Sequence, residues 1–187
     1  MEELKNEILV FLQNVDFSAE VKREFIKRVE KGKLSIDEDK ESHFCVYFAA
    51  YDLVNKEVFI GHHKKSGLWL FNGGHIDSGE TIDKILKREI KEEWDLDSDN
   101  FQIEKIKFLT ITDIYNPKKQ PCRKHYDLWC FVPVDKNFFK PSNKALLTEF
   151  HKYGWKSFDD ARELVIGSKE TKSAIDFIEN NLCKNKK

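Results

Sequence analysis

Residues 74–96 place carboxylates where an amphipathic helix would bury them. Counted at about 100° per residue, one arc of this helix carries apolar side chains, namely Ile82, Ile85, Leu86 and Ile90. Glu89 and Glu93 fall inside that arc, and Glu92 lies at its edge. Clustered negative charges are unfavourable away from water unless a cation neutralises them. Although an acidic helix face is usually just solvated, this pattern indicates a hard divalent metal held by oxygen ligands.

The spacing of residues around this helix is more specific than its charge. Gly74 is followed after five residues by Glu80, and after seven more by REIKEE at residues 88–93. The pattern resembles the Nudix box, G-x5-E-x7-R-E-U-x-E-E-x-G-U with U an aliphatic residue, at eight of its nine specified positions. A pattern this long and mixed rarely arises by chance. The one departure is Asp95 in place of the last glycine, and there we expect a left-handed helix end, which aspartate tolerates less readily than glycine.

The segment before the box extends the resemblance. Residues 61–80 read GHHKKSGLWLFNGGHIDSGE and are similar to a bacterial Nudix subgroup that often reads HHKKLGxWLxPGGHxExGE. Asn72 stands in place of the usual proline and Asp77 in place of a frequent glutamate, and both changes are mild. With weaker similarity on both sides, the resemblance covers most of the chain. It implies an α/β fold, a Nudix-type α/β/α sandwich with a mixed sheet.

The resemblance also implies a set of metal-binding and catalytic residues. The metal ligands would be three glutamates and one backbone carbonyl, from Glu89, Glu92, Glu93 and Gly73. Arg88 would orient the neighbouring Glu89 through its forked donors. Nudix enzymes often recruit a further glutamate from a loop before the last strand, and Glu149 is the only glutamate between Glu104 and Glu163. We therefore predict that Glu149, or else Glu89, is the general base.

Six residues near the predicted cleft are candidates for substrate binding, namely His62, His63, Lys65, Phe71, His75 and His125. His62 and His63 end a strand and could line a phosphate-binding mouth with Lys65, although a solvated strand end explains them equally well. Phe71 could stack on a nucleobase, but large aromatic side chains near a strand more often belong to the core. His75 could contact substrate or orient its own loop by a hydrogen bond.

These residues predict hydrolysis of a pyrophosphate bond, assisted by Mg²⁺ or Mn²⁺, in a nucleoside diphosphate linked to another group. Oxidised nucleoside triphosphates, ADP-ribose or another nucleotide sugar, dinucleoside polyphosphates and capped RNA ends are all open as substrates. The family resemblance extends to isopentenyl diphosphate isomerases. Such an enzyme would need a protonating cysteine in the cleft, and the residues around Cys45 and Cys122 do not indicate that role. A non-catalytic nucleotide-binding domain is the other alternative, although such domains usually lose the acidic ligands that this chain keeps.

The composition is that of one globular domain without a dominant charge. The 187 residues include 32 Lys and Arg and 33 Asp and Glu, for a net charge of −1. This balance favours a small nucleotide as partner over a DNA duplex or a membrane. Charges interrupt the hydrophobic run near the N-terminus, so we expect no signal peptide or spanning helix, and a cytoplasmic protein. The cysteines lack CxxC spacing and are expected to be buried thiols rather than zinc ligands or disulfides, at Cys45, Cys122, Cys130 and Cys183.

The pattern along the chain predicts helices, then a mixed sheet, then closing helices. Apolar residues at helical spacing predict two amphipathic helices within residues 1 to about 31, broken near residues 14–18. Four runs rich in β-branched and aromatic residues predict strands, and two later runs predict helices, at 43–53, 57–64, 105–115, 126–134, 157–165 and 168–184. We divide the chain into a helical extension, residues 1–40, packed on a Nudix hydrolase domain, residues 41–187. The extension could also cap the cleft or form a homodimer contact.

Overall fold

The computed structural model of the protein describes residues 2–14, 17–115 and 121–183. Two helices come first, α1 (Glu2–Asn14) and α2 (Ala19–Lys31). The elements that follow are β1 (Ser42–Asp52), β2 (Glu57–His63), β3 (Trp69–Leu70), β4 (Asn72–His75), α3 (Ile82–Trp94), β5 (Glu104–Asp113), β6 (Lys124–Pro133), α4 (Asn143–Glu149), β7 (Phe150–Ser157), α5 (Phe158–Leu164) and α6 (Lys169–Phe177). A short 3-10 turn follows α3 at Ser98–Asn100, and one turn of π-helix, Ile178–Leu182, extends α6.

The seven strands of the described ranges form one mixed sheet. Its path runs β3-β2-β1-β6-β5, with β4 paired to β1 and β7 paired to β2. β1 and β6 are parallel, whereas the other pairs are antiparallel. One edge of β1 is shared between two partners, because β2 pairs with its end at Tyr51 and Asp52 while β4 pairs with residues 45–48. This sharing brings the glycine-rich β4 into the centre of the sheet.

Helices cover both faces of the sheet. On one face α1, α2, α3 and α4 pack over residues such as Phe44, Val46 and Phe48. On the other face α5 and α6 pack over residues such as Ala49 and Tyr51, since successive side chains of a strand point to opposite sides. The predicted α/β/α sandwich with a mixed sheet and an N-terminal helical extension is therefore confirmed. None of the helices in the described part of the chain combines the length and the hydrophobicity that crossing a lipid bilayer requires.

The sequence around α3 explains where this helix begins and ends. Thr81 caps its start, because the Thr81 hydroxyl accepts a hydrogen bond from the Lys84 amide at 3.4 Å. Its end is Asp95, whose φ of 55° and ψ of 33° are left-handed as predicted. The Asp95 carboxylate accepts a hydrogen bond from Lys91 Nζ at 2.5 Å. The helix end thus keeps the left-handed geometry without the usual glycine.

The N-terminal helices are attached to α3 as well as to the sheet. Leu4, Ile8 and Leu12 of α1 are buried in the same core as the apolar side of α3. Glu7 Oε2 of α1 accepts a hydrogen bond from the Ile82 amide at 3.0 Å. That amide is one of the donors that a helix leaves unpaired at its start, where a carboxylate also interacts favourably with the helix dipole. α1 therefore supplies part of the N-terminal cap of α3.

Several short elements differ from the sequence prediction. β3 and β4 contain two and four residues, too few for hydrophobic periodicity to reveal them. α4 and β7 occupy a stretch for which the sequence analysis gave no helix or strand bounds. Beyond Phe150 the residues of β7 are exposed or half-buried and include Gly154, so they lack the pattern of a buried strand. The break predicted near residues 14–18 falls partly outside the described residues.

Candidate functional site

The glutamates of α3 occupy the positions that the helical arc predicts. Glu89 and Glu93 are buried among apolar residues, with 7% and 8% of their surface exposed, while Glu92 is exposed. Burial raises the pKa of the Glu89 carboxyl, and it raises the pKa of Glu93 to about 8. Both carboxylates lack the hydration that their charged form needs, and a bound cation would relieve this deficit.

Arg88 connects the carboxylates of α3 to the loop before the helix. Its Nε and Nη2 donate to the two oxygens of Glu80 at 2.7 and 2.8 Å. Its Nη1 donates to Glu89 Oε1 at 2.6 Å and to Glu92 Oε2 at 3.5 Å, and Nη2 also donates to the His75 carbonyl at 3.1 Å. The predicted contact with Glu89 is present, but the forked contact belongs to Glu80. Burial alone would raise the pKa of Glu80, but the hydrogen bonds from Arg88 hold it below its ordinary value.

β4 lies directly against the buried carboxylates. A methyl group in place of the Gly74 hydrogen would overlap the Glu89 carboxylate, so only glycine allows this approach. Asn72 Nδ2 donates a hydrogen bond to the Glu93 carboxylate. Burial raises the pKa of Glu93, and the Gly73 backbone acts in the opposite direction. The structure thus places Gly73, the predicted carbonyl ligand, beside Glu93.

The exposed position of Glu92 leaves it at the edge of this group. In the described ranges, the groups of three or more residues with ligand atoms within 4.8 Å of one another do not include the set Glu89, Glu92 and Glu93. Arg88 holds Glu89 from one side, Asn72 holds Glu93 from the other, and the Glu92 side chain is 59% exposed. The structure therefore brings Glu89, Glu93 and the glycine pair together, with Glu92 at their rim.

Glu149 ends α4 and approaches the same region from a different element. Burial and the charge of Glu89 raise the pKa of Glu93, and the charge of Glu149 adds to their effect. Glu149 Oε2 lies 3.5 Å from His63 Nε2 and 3.6 Å from Lys65 Nζ. The loop position predicted for Glu149 is wrong, because the residue belongs to a helix end. Its role as general base stays a prediction, now with a place beside the buried carboxylates.

The two histidines at the end of β2 point to different neighbours. A shift in the register of β2 against β7 falls between His62 and His63. His63 faces Glu149, whereas the His62 ring lies 5.8 Å from the ring of Trp69. The Lys65 side chain is exposed. Contact with substrate stays a prediction for His62, His63 and Lys65.

Phe71 occupies a core position. Only 2% of its surface is exposed, and its ring packs edge-on against Trp129 with the centroids 5.9 Å apart. Both rings belong to the core beneath α5 and α6. This placement favours the alternative weighed from the sequence, a core aromatic beside a strand, over stacking on a nucleobase.

Two other predicted substrate residues, His75 and His125, belong to a cluster that the sequence did not reveal. Because Gly74 faces α3, the His75 side chain points to the opposite face of β4. There the rings of His43, His75 and His125 lie 4.8 to 5.0 Å apart, and Cys122 Sγ is 3.7 Å from His43 Nε2. Burial lowers the pKa of all three imidazoles, to about 4 for His75 and about 3 for His125. Its members come from three strands and a loop, and the one local signal is the C-x2-H spacing of Cys122 and His125.

The fold and the site define a class of protein. A glycine-rich strand faces a helix with buried glutamates, and an arginine of that helix holds one of them in place, as the spacing of the box predicts. The sequence profile described as NUDIX domain matches residues 43–175, most of the chain. The chain therefore belongs to the NUDIX domain family, as the box spacing predicts.

Solved structures with a similar fold agree with this membership. The E. coli dihydroneopterin triphosphate pyrophosphohydrolase is 16% identical with a TM-score of 0.59, over 71% of this chain and 92% of that one. The C. elegans Ap4A hydrolase, in a binary complex, is 16% identical with a TM-score of 0.58, over 75% of this chain and 98% of that one. At such low identity the likeness concerns the fold and not the substrate. The comparison with curated proteins found no match.

Proposed function

We propose that the protein hydrolyses a pyrophosphate bond in a nucleoside diphosphate linked to another group, with Mg²⁺ or Mn²⁺ as cofactor. The observation that carries this proposal is the burial of Glu89 and Glu93 against the glycine pair of β4. Carboxylate and carbonyl oxygens form a hard donor set, which suits Mg²⁺ and Mn²⁺ better than softer ions. Glu89, Glu92, Glu93 and the Gly73 carbonyl would hold the ion.

Such an ion, when bound, neutralises phosphate charge and lowers the pKa of the attacking water. The residues of this chain position the reacting groups. Arg88 fixes the Glu89 carboxylate and ties it through Glu80 to the loop before α3. Glu149 is proposed to accept the proton of the attacking water, because it adjoins the buried carboxylates and keeps 27% of its side chain exposed to solvent. Lys65, beside Glu149, supplies a positive charge where phosphate oxygens would enter.

The substrate is proposed to be a small nucleotide, and its leaving group is the open question. Oxidised nucleoside triphosphates, ADP-ribose or another nucleotide sugar, dinucleoside polyphosphates and capped RNA ends are the candidates from the sequence. The names of the two structural neighbours suggest dihydroneopterin triphosphate and Ap4A as further compounds to test. Among the predicted contacts, we retain His62, His63 and Lys65 for the phosphates and assign Phe71 to the core.

A substrate panel with Mg²⁺, Mn²⁺ or EDTA tests this proposal, with products separated by anion-exchange chromatography. We expect metal-dependent cleavage of at least one member at a pyrophosphate bond, and no cleavage of that member by Glu93→Gln. A folded protein that binds nucleotides without cleaving any of them would support the non-catalytic alternative. Isopentenyl diphosphate belongs in the panel, and its conversion to dimethylallyl diphosphate would support the isomerase. The burial of Cys45 and Cys122 argues against that outcome.

We further propose that residues 1–40 form an extension packed on a hydrolase domain of residues 41–187. α1 and α2 bury their apolar sides in the core that α3 shares, which supports this division. A cytoplasmic location and a homodimer are predictions from the sequence, and light scattering after size-exclusion chromatography measures the oligomeric state.

A further inference from the structure

A cluster on the face of β4 opposite the glutamates has the composition of a transition-metal site. His43 of β1, His75 of β4, His125 of β6 and Cys122 of the preceding loop each offer one ligand atom, and these atoms all lie within 4.8 Å of one another. His43, Cys122 and His125 are buried and His75 is half-buried. Imidazole nitrogen and thiolate sulfur are donors that bind Zn²⁺ in preference to Mg²⁺.

The two distances from Cys122 Sγ to histidine nitrogens are close to those around a tetrahedral ion. With bonds of about 2.05 Å from Zn²⁺ to nitrogen and about 2.3 Å to sulfur, tetrahedral geometry separates nitrogen from sulfur by about 3.6 Å. Cys122 Sγ lies 3.7 Å from His43 Nε2 and 3.8 Å from His75 Nε2. The side chains therefore already stand close to the positions that one shared ion requires.

Hydrogen bonds alone do not give every polar atom of the cluster a partner. His43 Nδ1 lies 2.8 Å from the Asp39 carbonyl, so this nitrogen carries the proton and Nε2 presents its lone pair to Cys122. The Cys122 thiol can donate its proton to His43 Nε2 while its sulfur accepts a hydrogen bond from His75 Nε2, so these three side chains can satisfy one another. His125 Nε2 is buried and has no hydrogen-bond partner in the described part of the chain, which is rare for a buried polar atom. A cation at the centre would satisfy all of these atoms at once.

The contact between His43 and Asp39 is also of the kind usually found around protein-bound zinc. A zinc-bound histidine almost always donates its other ring nitrogen to a carboxylate or a backbone carbonyl, and this contact fixes the orientation of the ring. His43 makes such a contact, and its Nε2 is left free for the metal.

We propose that His43, His75, Cys122 and His125 bind one Zn²⁺ ion, separate from the Mg²⁺ or Mn²⁺ of the hydrolytic site. Four protein ligands complete a tetrahedral shell, so the site is structural and has no open position for water. The ion joins β1, β4 and β6 to the loop before β6. Arg88 donates a hydrogen bond to the His75 carbonyl, so the ion also steadies the strand that faces the catalytic glutamates. This assignment reverses the sequence-based expectation that Cys122 is an inert thiol.

Cobalt substitution tests the site in the full chain. Metal-free protein, kept reduced, is titrated with Co²⁺ in the presence of excess Mg²⁺, which occupies oxygen-rich sites. We expect one equivalent of Co²⁺ to bind with the intense visible bands of a tetrahedral ion and a thiolate charge-transfer band in the near ultraviolet. One equivalent of Zn²⁺ should remove both features. Failure of the protein to bind Co²⁺, or a weak octahedral spectrum without the thiolate band, overturns the proposal.

Variants then assign the ligands. Cys122→Ser should lose the thiolate band and bind Zn²⁺ at least about tenfold more weakly, since removal of a ligand costs no less than removal of its outer partner. Cys183→Ser is the matched control, because this thiol lies outside the cluster and should leave the spectrum unchanged. Glu93→Gln should also keep the thiolate band, because it belongs to the other site. If Cys122→Ser does not fold, His125→Gln should keep the thiolate band with altered visible bands and weaker Zn²⁺ binding. An unchanged spectrum and affinity in either ligand variant would overturn the assignment.

Discussion

Replacement of Glu93 by glutamine should stabilise the metal-free protein while removing its hydrolytic activity. Burial raises the pKa of this carboxyl from 4.5 to about 8 in the folded chain. The folded state therefore holds the Glu93 proton more tightly than the unfolded state does. The contribution of this group to stability is fully present below about pH 4.5 and is lost as the pH rises towards about 8. Glutamine cannot ionise, so it escapes this loss.

The structure sets the size of the effect. A pKa difference of one corresponds to about 1.4 kcal/mol, so the whole shift sets an upper limit of about 5 kcal/mol near pH 8. Relaxation of the buried site and weaker contacts from Asn72 and Gly73 reduce this gain. We expect the free energy of unfolding to rise by about 1 to 3 kcal/mol. For a chain of this length, that gain raises the Tm by about 3 to 10 °C.

Thermal unfolding in EDTA at about pH 5 and about pH 8 measures the effect. Glu92→Gln is the matched control, since it is the same substitution one residue earlier, at an exposed carboxylate. This control should show no gain in stability, although both variants should lose most hydrolysis because both remove a proposed metal ligand. The reasoning fails if Glu93→Gln is no more stable than Glu92→Gln at the higher pH, or if its advantage persists at the lower pH. Near-normal turnover of both variants at limiting Mg²⁺ would reject the metal assignment.

Three further substitutions probe the site and the helix end. Glu149→Gln should lower kcat by at least about 10²-fold with little change in KM, because a general base acts in the transition state. Glu163→Gln is the control. An unchanged kcat in Glu149→Gln would return the role of general base to Glu89. Gly74→Ala should displace the Glu89 carboxylate, lower kcat by about 10²-fold and raise the metal concentration that gives half-maximal activity. Normal kinetics would show that the overlap between the alanine methyl group and the carboxylate is relieved without moving Glu89. Asp95→Gly should raise the Tm slightly, since glycine adopts the left-handed helix end without strain, whereas a lower Tm would mean that the aspartate side chain contributes more than its backbone costs.

The parts of the site that lie close together in the sequence were predictable. The helical arc alone places Glu89 and Glu93 on the buried side of α3 and Glu92 at its edge, because the spacing of residues along a helix fixes the directions of their side chains. The structure adds that Glu92 is exposed. The left-handed end at Asp95 follows from the box in the same way. The forked contact of Arg88 with Glu80 was not predicted, since it depends on how the preceding loop folds back over α3.

Contacts between distant strands were beyond the sequence. The parallel pairing of β1 with β6 sets His43 opposite His125, and the antiparallel pairing of β1 with β4 sets Cys45 opposite His75. Such register depends on the whole sheet, so no local motif marks His43 or His75 as a neighbour of Cys122 and His125, which are close in the sequence. For Phe71 the sequence left two readings, and only the packing of Trp129 against its ring decides between them.

The hydrogen bond between Glu7 and the Ile82 amide spans 75 residues, and this has a consequence for synthesis on the ribosome. α1 leaves the ribosome well before α3, and its 13 residues are about the length at which an isolated helix is only marginally stable in water. Leu4, Ile8 and Leu12 can pack against α2 as soon as it emerges, but the core that buries them is completed only when the helix with the glutamates has also emerged. α1 is therefore translated early but is fully buried only after α3 has been made. A chain stalled before residue 94 leaves part of this apolar surface exposed to the cell's chaperones.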